Sequence, residues 1–299
     1  MERDTAQQLS IWAGISRAVT DFGLLVKFKL SLMVLFSAMI SYAIASAGNV
    51  HWIGMLLLAV GGFLVTGAAN ALNQVLERDY DRLMTRTANR PVATGRMSVS
   101  TAVLWAGLMA LFGVSILTLF NPLTGFLGML SLISYAFIYT PLKRSSPLAV
   151  VVGAIPGALP LVIGCTAWDG VMTPTALMLF TIQFLWQFPH FWAVAWLADE
   201  DYKKAGFVML PSRNGTQDAT TGFLSFLFCC LMVLNAIIGY WTGFSGAVAT
   251  VVLIGLNGFF AYRCWNLYRS CSREAARSQM FASFLHLPLS LIVLLIDKM

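Results

Sequence analysis

The run from Trp52 to Asp81, WIGMLLLAVGGFLVTGAANALNQVLERDYD, is apolar over most of its length and then turns abruptly charged. Its apolar part has the roughly 20-residue length that crosses a bilayer core as a helix. In the closing segment Asn73, Glu77 and Asp81 recur every four residues, so a helix stacks the three acceptor side chains on one face. Two carboxylates aligned at a membrane surface repel each other unless a cation lies between them. Arg78, Arg82, Arg86 and Arg90 follow at the same spacing on a neighbouring stripe. Carboxylates suited to a hard divalent cation, beside guanidinium groups that match phosphate, describe a site for a metal-bound diphosphate. Read alone, the same stripes also fit a solvated, salt-bridged helix end, with Asp79 and Arg82 as an i,i+3 pair.

The rest of the chain extends the membrane reading. Hydrophobic residues make up 58% and charged residues 11% of the 299, and mean hydropathy is +0.76. That leaves too little polar residue to cover a water-exposed surface. The expected fold is an all-α integral membrane protein, because in lipid only a helix satisfies its own backbone within a single span. Nine apolar runs lie near 28–47, 52–75, 101–120, 123–139, 148–167, 174–197, 222–241, 244–265 and 279–296.

Basic residues fall in alternate connections. Arg3, Arg17 and Lys27 precede the first run and Lys29 stands at its start, and Arg78 to Arg96 lie between the second and third. Lys143 and Arg144 follow the fourth, Lys203, Lys204 and Arg213 the sixth, and Arg263 to Arg277 close the eighth. Of 19 basic residues only Lys298 stands elsewhere. The positive-inside rule then predicts nine spans with a cytoplasmic N-terminus. The net charge of +6 and pI near 9.2 follow from topology and anionic lipid, not from nucleic acid.

Two parts are expected: a cytoplasmic N-terminal segment, 1–23, holding an interfacial helix from Leu9 to Leu25, and a membrane domain, 24–299. Two long cytoplasmic loops stand out. The first, 76–100, carries the acid and Arg stripes. The second, 198–220, contains Asp199-Glu200-Asp201 followed by Lys203-Lys204, again acids next to cations. Pro156, Pro160, Pro189 and Pro288 fall inside spans, where proline kinks a helix or frees a backbone carbonyl. Five cysteines show no CxxC spacing and read as small apolar packing residues. The mixed acidic and basic N-terminus lacks the pattern of a cleaved signal or a transit peptide, which favours a bacterial plasma membrane.

Asn73-x-x-x-Glu77-x-x-x-Asp81 resembles the first aspartate-rich motif of the intramembrane aromatic prenyltransferases, the UbiA superfamily. Within it the chain is most similar to the protoheme IX farnesyltransferase (heme O synthase) branch. That narrower likeness rests on Met84-Thr85-Arg86-Thr87-Ala88-Asn89-Arg90-Pro91, Tyr139-Thr140-Pro141-Leu142-Lys143-Arg144, Gly153 to Pro160, Trp186-Gln187-Phe188-Pro189-His190-Phe191-Trp192, Asp201 to Gly206 and Met209-Leu210-Pro211. Two departures stand out. Glu77 occupies a position where the family has Asp, and the second acidic cluster is not a regular three-carboxylate repeat.

The resemblance implies transfer of a farnesyl group from farnesyl diphosphate to the 2-vinyl group of heme B, with water added. It implies Mg²⁺ held by Asn73, Glu77, Asp81 and Asp201, and diphosphate contacts at Arg86, Arg90, Lys143 and Lys204. It implies a heme and prenyl pocket at Trp186, Phe188, His190, Phe191, Trp192 and His286, with His190 and His286 as iron ligands, substrate contacts or packing groups. A heme A synthase or an oxidase assembly factor is an implied partner. A quinone precursor as acceptor keeps the same diphosphate half. A membrane heme carrier is the non-enzyme alternative, although carriers tend to place ionisable groups at the bilayer midplane, where these spans hold almost none.

Overall fold

The computed structural model of the chain describes residues 2–212 and 215–299, with side chains described for Trp12 and for residues 14–212 and 215–299. Arg213, counted above in the second loop, lies outside the described residues. Among the described residues every regular element is helical. The first, α1 (Glu2–Leu25), turns its Trp12, Ile15 and Val19 outward, exposed at i, i+3 and i+7. This is the apolar stripe of a helix that lies on a surface.

The long helices α2 (Phe28–Ala45) and α3 (Trp52–Leu76) lead to two single turns, α4 (Arg78–Asp81) and α5 (Pro91–Thr94). They are followed by α6 (Val99–Thr118) and α7 (Pro122–Ile133), which runs on through a π-helix at Ser134–Tyr139 into the short α8 (Thr140–Leu142). The remaining elements are α9 (Ala149–Asp169), α10 (Pro174–Leu197), the short α11 (Asp199–Lys204), α12 (Ala219–Trp241), α13 (Ala247–Ser270) and α14 (Arg273–Lys298). Starts follow from capping. Asn121 Oδ1 accepts the Thr124 N–H, Thr173 Oγ1 that of Ala176, and Ser98 Oγ that of Thr101, and Pro122 and Pro174 sit in the first turn where no N–H is needed.

Among the described residues, eight helices are long and apolar enough to cross a membrane: α2, α3, α6, the continuous Pro122–Leu142, α9, α12, α13 and α14. The chain is therefore a multi-pass membrane protein. The expected sixth span, α10, has 24 residues but is diluted by Gln183, Gln187 and His190, which fall at i, i+4 and i+7 on one face. These polar groups look into the protein rather than at lipid.

Helix α9 runs through the middle, packed on α2, α7 and α10, while α3 lies along α6 and α12 along α13. It is the most buried of the eight, as expected for a helix apolar all round. Close approach is allowed by small residues. A Cβ at Gly164 would strike the Ala38 carbonyl and Ser41, and one at Gly157 would strike the Gln187 side chain. Pro156 and Pro160 lie within one continuous helix, and Ser131 Oγ reaches the Pro156 carbonyl at 3.4 Å. That carbonyl is the one Pro160 cannot engage.

Candidate functional site

The end of α3 gathers charge. Asn73 is buried and donates through Nδ2 to Glu77 Oε2 at 2.9 Å and to Thr140 Oγ1 at 3.1 Å. Lys27 Nζ donates to Asn73 Oδ1 at 2.9 Å, and Lys143 Nζ lies 2.5 Å from Glu77 Oε1. Asp81 is fully buried and receives both its hydrogen bonds from Arg90 Nη1 at 2.8 Å. Lys27 arrives through an unusual turn. It holds φ +49° between α1 and α2, with Asn70 Nδ2 and Gln74 Nε2 of α3 binding the Val26, Leu24 and Leu25 carbonyls beside it. Left-handed backbone at a lysine costs energy, and such strain persists where surrounding contacts fix it.

Three cations thus face two carboxylates. Burial, followed by the repulsion of Arg90 and Lys143, holds the Lys27 ammonium well below its usual range. Burial also raises the Asp81 carboxyl above the usual carboxylate range, against the opposing pull of Arg90. Both shifts have the same first cause, that charge in this cluster is poorly solvated.

The second loop packs against the first. Asp201 Oδ2 accepts the Arg86 backbone N–H at 3.1 Å, Lys204 Nζ lies 3.2 Å from Oδ1, and Arg86 Nη2 reaches the Tyr202 hydroxyl at 3.2 Å. The Arg86 N–H is the main reason the Asp201 carboxyl sits below its ordinary value. Tyr80, Phe207 and Tyr202 form an aromatic wall between the two groups, and the Val208 N–H binds the Lys143 carbonyl at 3.2 Å. The structure therefore joins Asn73, Glu77, Asp81, Arg90 and Lys143 in one constellation and sets Asp201, Arg86 and Lys204 in an adjoining one. Asp79 is exposed, paired only with Arg82, as its spacing predicts.

A cavity of about 240 Å³ lies between α2, α3, the π-helix, α9 and α10. Tyr139 connects it to the charge cluster, since its ring both lines the cavity and carries Lys143 Nζ 4.8 Å from its centroid. Trp186, His190 and Phe191 line the hollow. Phe188, Trp192 and His286 do not. Phe188 stacks on Phe228 at 4.0 Å, and Trp192 joins them in a core with Met209 and Leu210. Residues 186 and 188 are about 200° apart on a helix, so both cannot face one hollow. His286 turns instead toward α13, with Nε2 2.7 Å from Asn257 Oδ1, in a separate small cavity with Asn235 and Ser290.

Lys27, Thr140, Tyr135, Tyr139, Gln183 and Gln187 belong to the site region and were not singled out from sequence. The two glutamines had a signal, a polar i,i+4 pair inside an apolar span followed by His190 at i+7. Lys27 reads only as a topology cation, because only the folded turn brings it to Asn73.

A charged cluster above an apolar hollow fits an amphiphile with a polyanionic head, and comparison with known proteins points the same way. Residues 34–287 match the UbiA prenyltransferase family.

The chain belongs to the UbiA prenyltransferase family.

Among curated relatives, the protoheme IX farnesyltransferase of Cytophaga hutchinsonii is 42% identical over 275 residues, 92% of this chain and 96% of that protein. The mitochondrial protoheme IX farnesyltransferase of Homo sapiens is 37% identical over 92% of this chain and 61% of its own length. A solved structure of digeranylgeranylglyceryl phosphate synthase superposes with TM-score 0.79 at 16% identity, covering 94% of this chain and 98% of that one. A UbiA homologue from Archaeoglobus fulgidus bound to GPP and Mg²⁺ gives 0.69 at 15% identity, covering 92% and 99%. At such identities the two structures establish the UbiA fold. Within this UbiA chain, Asn73, Glu77 and Asp81 offer only hard oxygen donors, the ligand type that suits Mg²⁺. No three His, Cys, Asp or Glu side chains gather as a metal site among the described residues. The donors present supply part of a coordination shell, in keeping with an ion that keeps waters and substrate phosphate oxygens around it.

Proposed function

We propose that this chain transfers the farnesyl group of farnesyl diphosphate to the 2-vinyl group of heme B, with addition of water, to give heme O. The observation that carries the reading is the largely buried cluster of Lys27, Arg90, Lys143, Glu77 and Asp81, joined through Tyr139 to an apolar cavity. It seats a diphosphate and leaves a long hydrocarbon tail in the hollow. Heme as acceptor rests on relatives at 34–42% identity that carry the protoheme IX farnesyltransferase name over nearly the whole chain.

The diphosphate is held with its apolar chain passing Tyr139 into the cavity. As the allylic C–O bond breaks, negative charge grows on the leaving oxygens, and Lys27, Arg90 and Lys143 receive it in a poorly solvated site where such charges count most. Mg²⁺, held by Asn73, Glu77 and Asp81 with Asp201 nearby, would neutralise part of that charge. Arg86 and Lys204, beside Asp201, border the same entrance. The faces of Tyr135, Tyr139 and Trp186 stabilise the allylic cation by about 0.5–2 kcal/mol each. The terminal vinyl carbon attacks farnesyl C1. The cation left on the carbon next to the porphyrin takes hydroxide from water, a proton is released and diphosphate departs.

The same reading takes residues 24–299 as the catalytic membrane domain and places its charged face on the cytoplasmic side of a bacterial plasma membrane. A neighbouring enzyme of heme maturation would take up the apolar product. Nanodiscs holding the full chain, given heme B, farnesyl diphosphate and Mg²⁺, are expected to yield hydroxyfarnesyl heme by mass spectrometry and to lose that product with EDTA. Unchanged heme together with a prenylated quinone precursor would replace the acceptor. Heme uptake into vesicles without any product would replace the enzyme with a carrier.

A further inference from the structure

Most polar groups on the cavity wall already serve the fold. Gln183 Nε2 binds the Gly157 carbonyl at 2.7 Å, Gln187 Nε2 that of Ala154 at 2.9 Å, and Asn70 Nδ2 that of Val26 at 3.1 Å. His190 is different. It is the sole histidine on that wall, and its Nδ1 lies 2.7 Å from Ser283 Oγ. Ser283 has one hydroxyl hydrogen, and Oγ donates it to the Met280 carbonyl at 2.6 Å. The bond to His190 must therefore run the other way, with Nδ1–H donating to Ser283 Oγ. In the neutral imidazole this leaves Nε2 with a lone pair and no proton.

The ring is also fixed in direction. It stacks on Trp186 at 4.6 Å and 12° and meets the edge of Phe284 at 5.3 Å. Trp186 is itself tied down, since Nε1 donates to the Ser283 carbonyl at 3.0 Å. One serine of α14 thus pins both the indole and the imidazole of α10. An imidazole whose Nδ1–H is held by an oxygen acceptor while Nε2 stands free is the arrangement by which proteins present histidine to a metal. With an iron porphyrin as the acceptor, as proposed above, the metal this imidazole meets is the iron.

We propose that His190 Nε2 is an axial ligand of the heme iron during catalysis, with Ser283 as the residue that sets its tautomer and direction. The proposal deepens the heme reading above and rests on it. Ligation at the macrocycle centre leaves the rim free to turn a vinyl group toward Tyr139 and the diphosphate. Gln183 and Gln187 could offer only a neutral amide oxygen, a donor type suited to hard cations, whereas imidazole suits iron.

The test compares two ligands in nanodiscs holding the full chain without farnesyl diphosphate: iron protoporphyrin IX and metal-free protoporphyrin IX. The wild type is expected to bind the iron form about tenfold or more tightly over the metal-free form, with a Soret shift typical of nitrogen ligation. His190→Ala should abolish that preference and the shift while leaving metal-free affinity within about twofold, and added imidazole should restore the shift. Ser283→Ala should weaken iron porphyrin binding by about 10-fold, the lower end of the effect of losing such a supporting partner. Equal affinity of the wild type for both porphyrins, or a Soret band indifferent to His190→Ala, would overturn the assignment. If neither porphyrin binds the wild type, the acceptor reading itself fails, a result separable from the failure of ligation alone.

Discussion

Asp81 is the residue at which chemistry and stability oppose each other most directly. It is fully buried and bound twice by Arg90 at 2.8 Å, yet burial still holds its carboxyl above the usual range. A folded value above the unfolded one means the favourable contribution exists below the unfolded carboxyl pKa. It is lost as pH rises through the folded value. Above that value the ionised Asp81 costs the fold free energy, a cost in keeping with the role proposed for it. Asp81→Asn keeps the shape and an acceptor for Arg90. It is expected to melt no lower than wild type while turnover falls about a hundredfold or more, the scale of losing one charge-organising group. Heme O formation followed beside a thermal melt checks both parts. Lys27 offers a contrast with its neighbour Lys29. Lys27 donates to Asn73, whereas Lys29 is exposed. Lys27→Gln should raise the KM for farnesyl diphosphate severalfold without changing that for heme, and Lys29→Gln should do neither. Equal effects of the two in steady-state kinetics would remove Lys27 from the diphosphate site.

At the scale of the element, α10 divides its aromatic side chains between two tasks. Trp186, His190 and Phe191 face the cavity, while Phe188 and Trp192 pack with Phe228, Met209 and Leu210. The second group anchors the loop after α11, and hence Asp201, to the bundle. Phe188→Ala, which empties a fully buried site, should cost about 3 kcal/mol of stability and lower the melting temperature. Trp186→Ala should instead raise the KM for heme with a smaller change in melting. A heme KM moved mainly by Phe188→Ala would reverse the division. The helical period holds the explanation: positions 186 and 190 share a face and 188 does not. The π-helix at Ser134–Tyr139 makes a similar point, since it turns Tyr135 and Tyr139 to the cavity. π-helical turns recur at functional sites.

For the whole molecule, the two long loops work as one surface. Asp201 holds the Arg86 N–H, so the loop carrying Arg90 leans on α11. The depressed Asp201 carboxyl gives stability above its unfolded pKa, and that contribution fades as pH falls through the folded value. Asp201→Asn should loosen the 82–90 loop at neutral pH. Trypsin cleavage after the exposed Arg86 is then expected to quicken severalfold over wild type. The two proteins should converge as the medium is acidified, with hydrogen exchange in 82–90 as the readout at pH values trypsin does not tolerate. A cleavage rate unchanged at neutral pH would show that the two loops hold independently.

Lys143 enters as a diphosphate contact only through the family resemblance. The membrane class, the run of apolar helices and the four-residue spacing of Asn73, Glu77 and Asp81 and of the Arg stripe were legible in the residues themselves. Each depends on spacing along one helix or on composition, and period and hydropathy are local properties of the chain. Deciding which polar groups share a site needed the fold. Lys27 reaches Asn73 only through a left-handed turn, Asp201 meets Arg86 across 115 positions, and His190 acquires its tautomer from Ser283, 93 residues away. Such long-range pairings are set by how helices pack, where close contact of small residues such as Gly157 and Gly164 sets which faces meet. For the same reason His286, apolar-flanked like His190, ended in a different cavity: its neighbours along the chain are similar, and its neighbours in space are not.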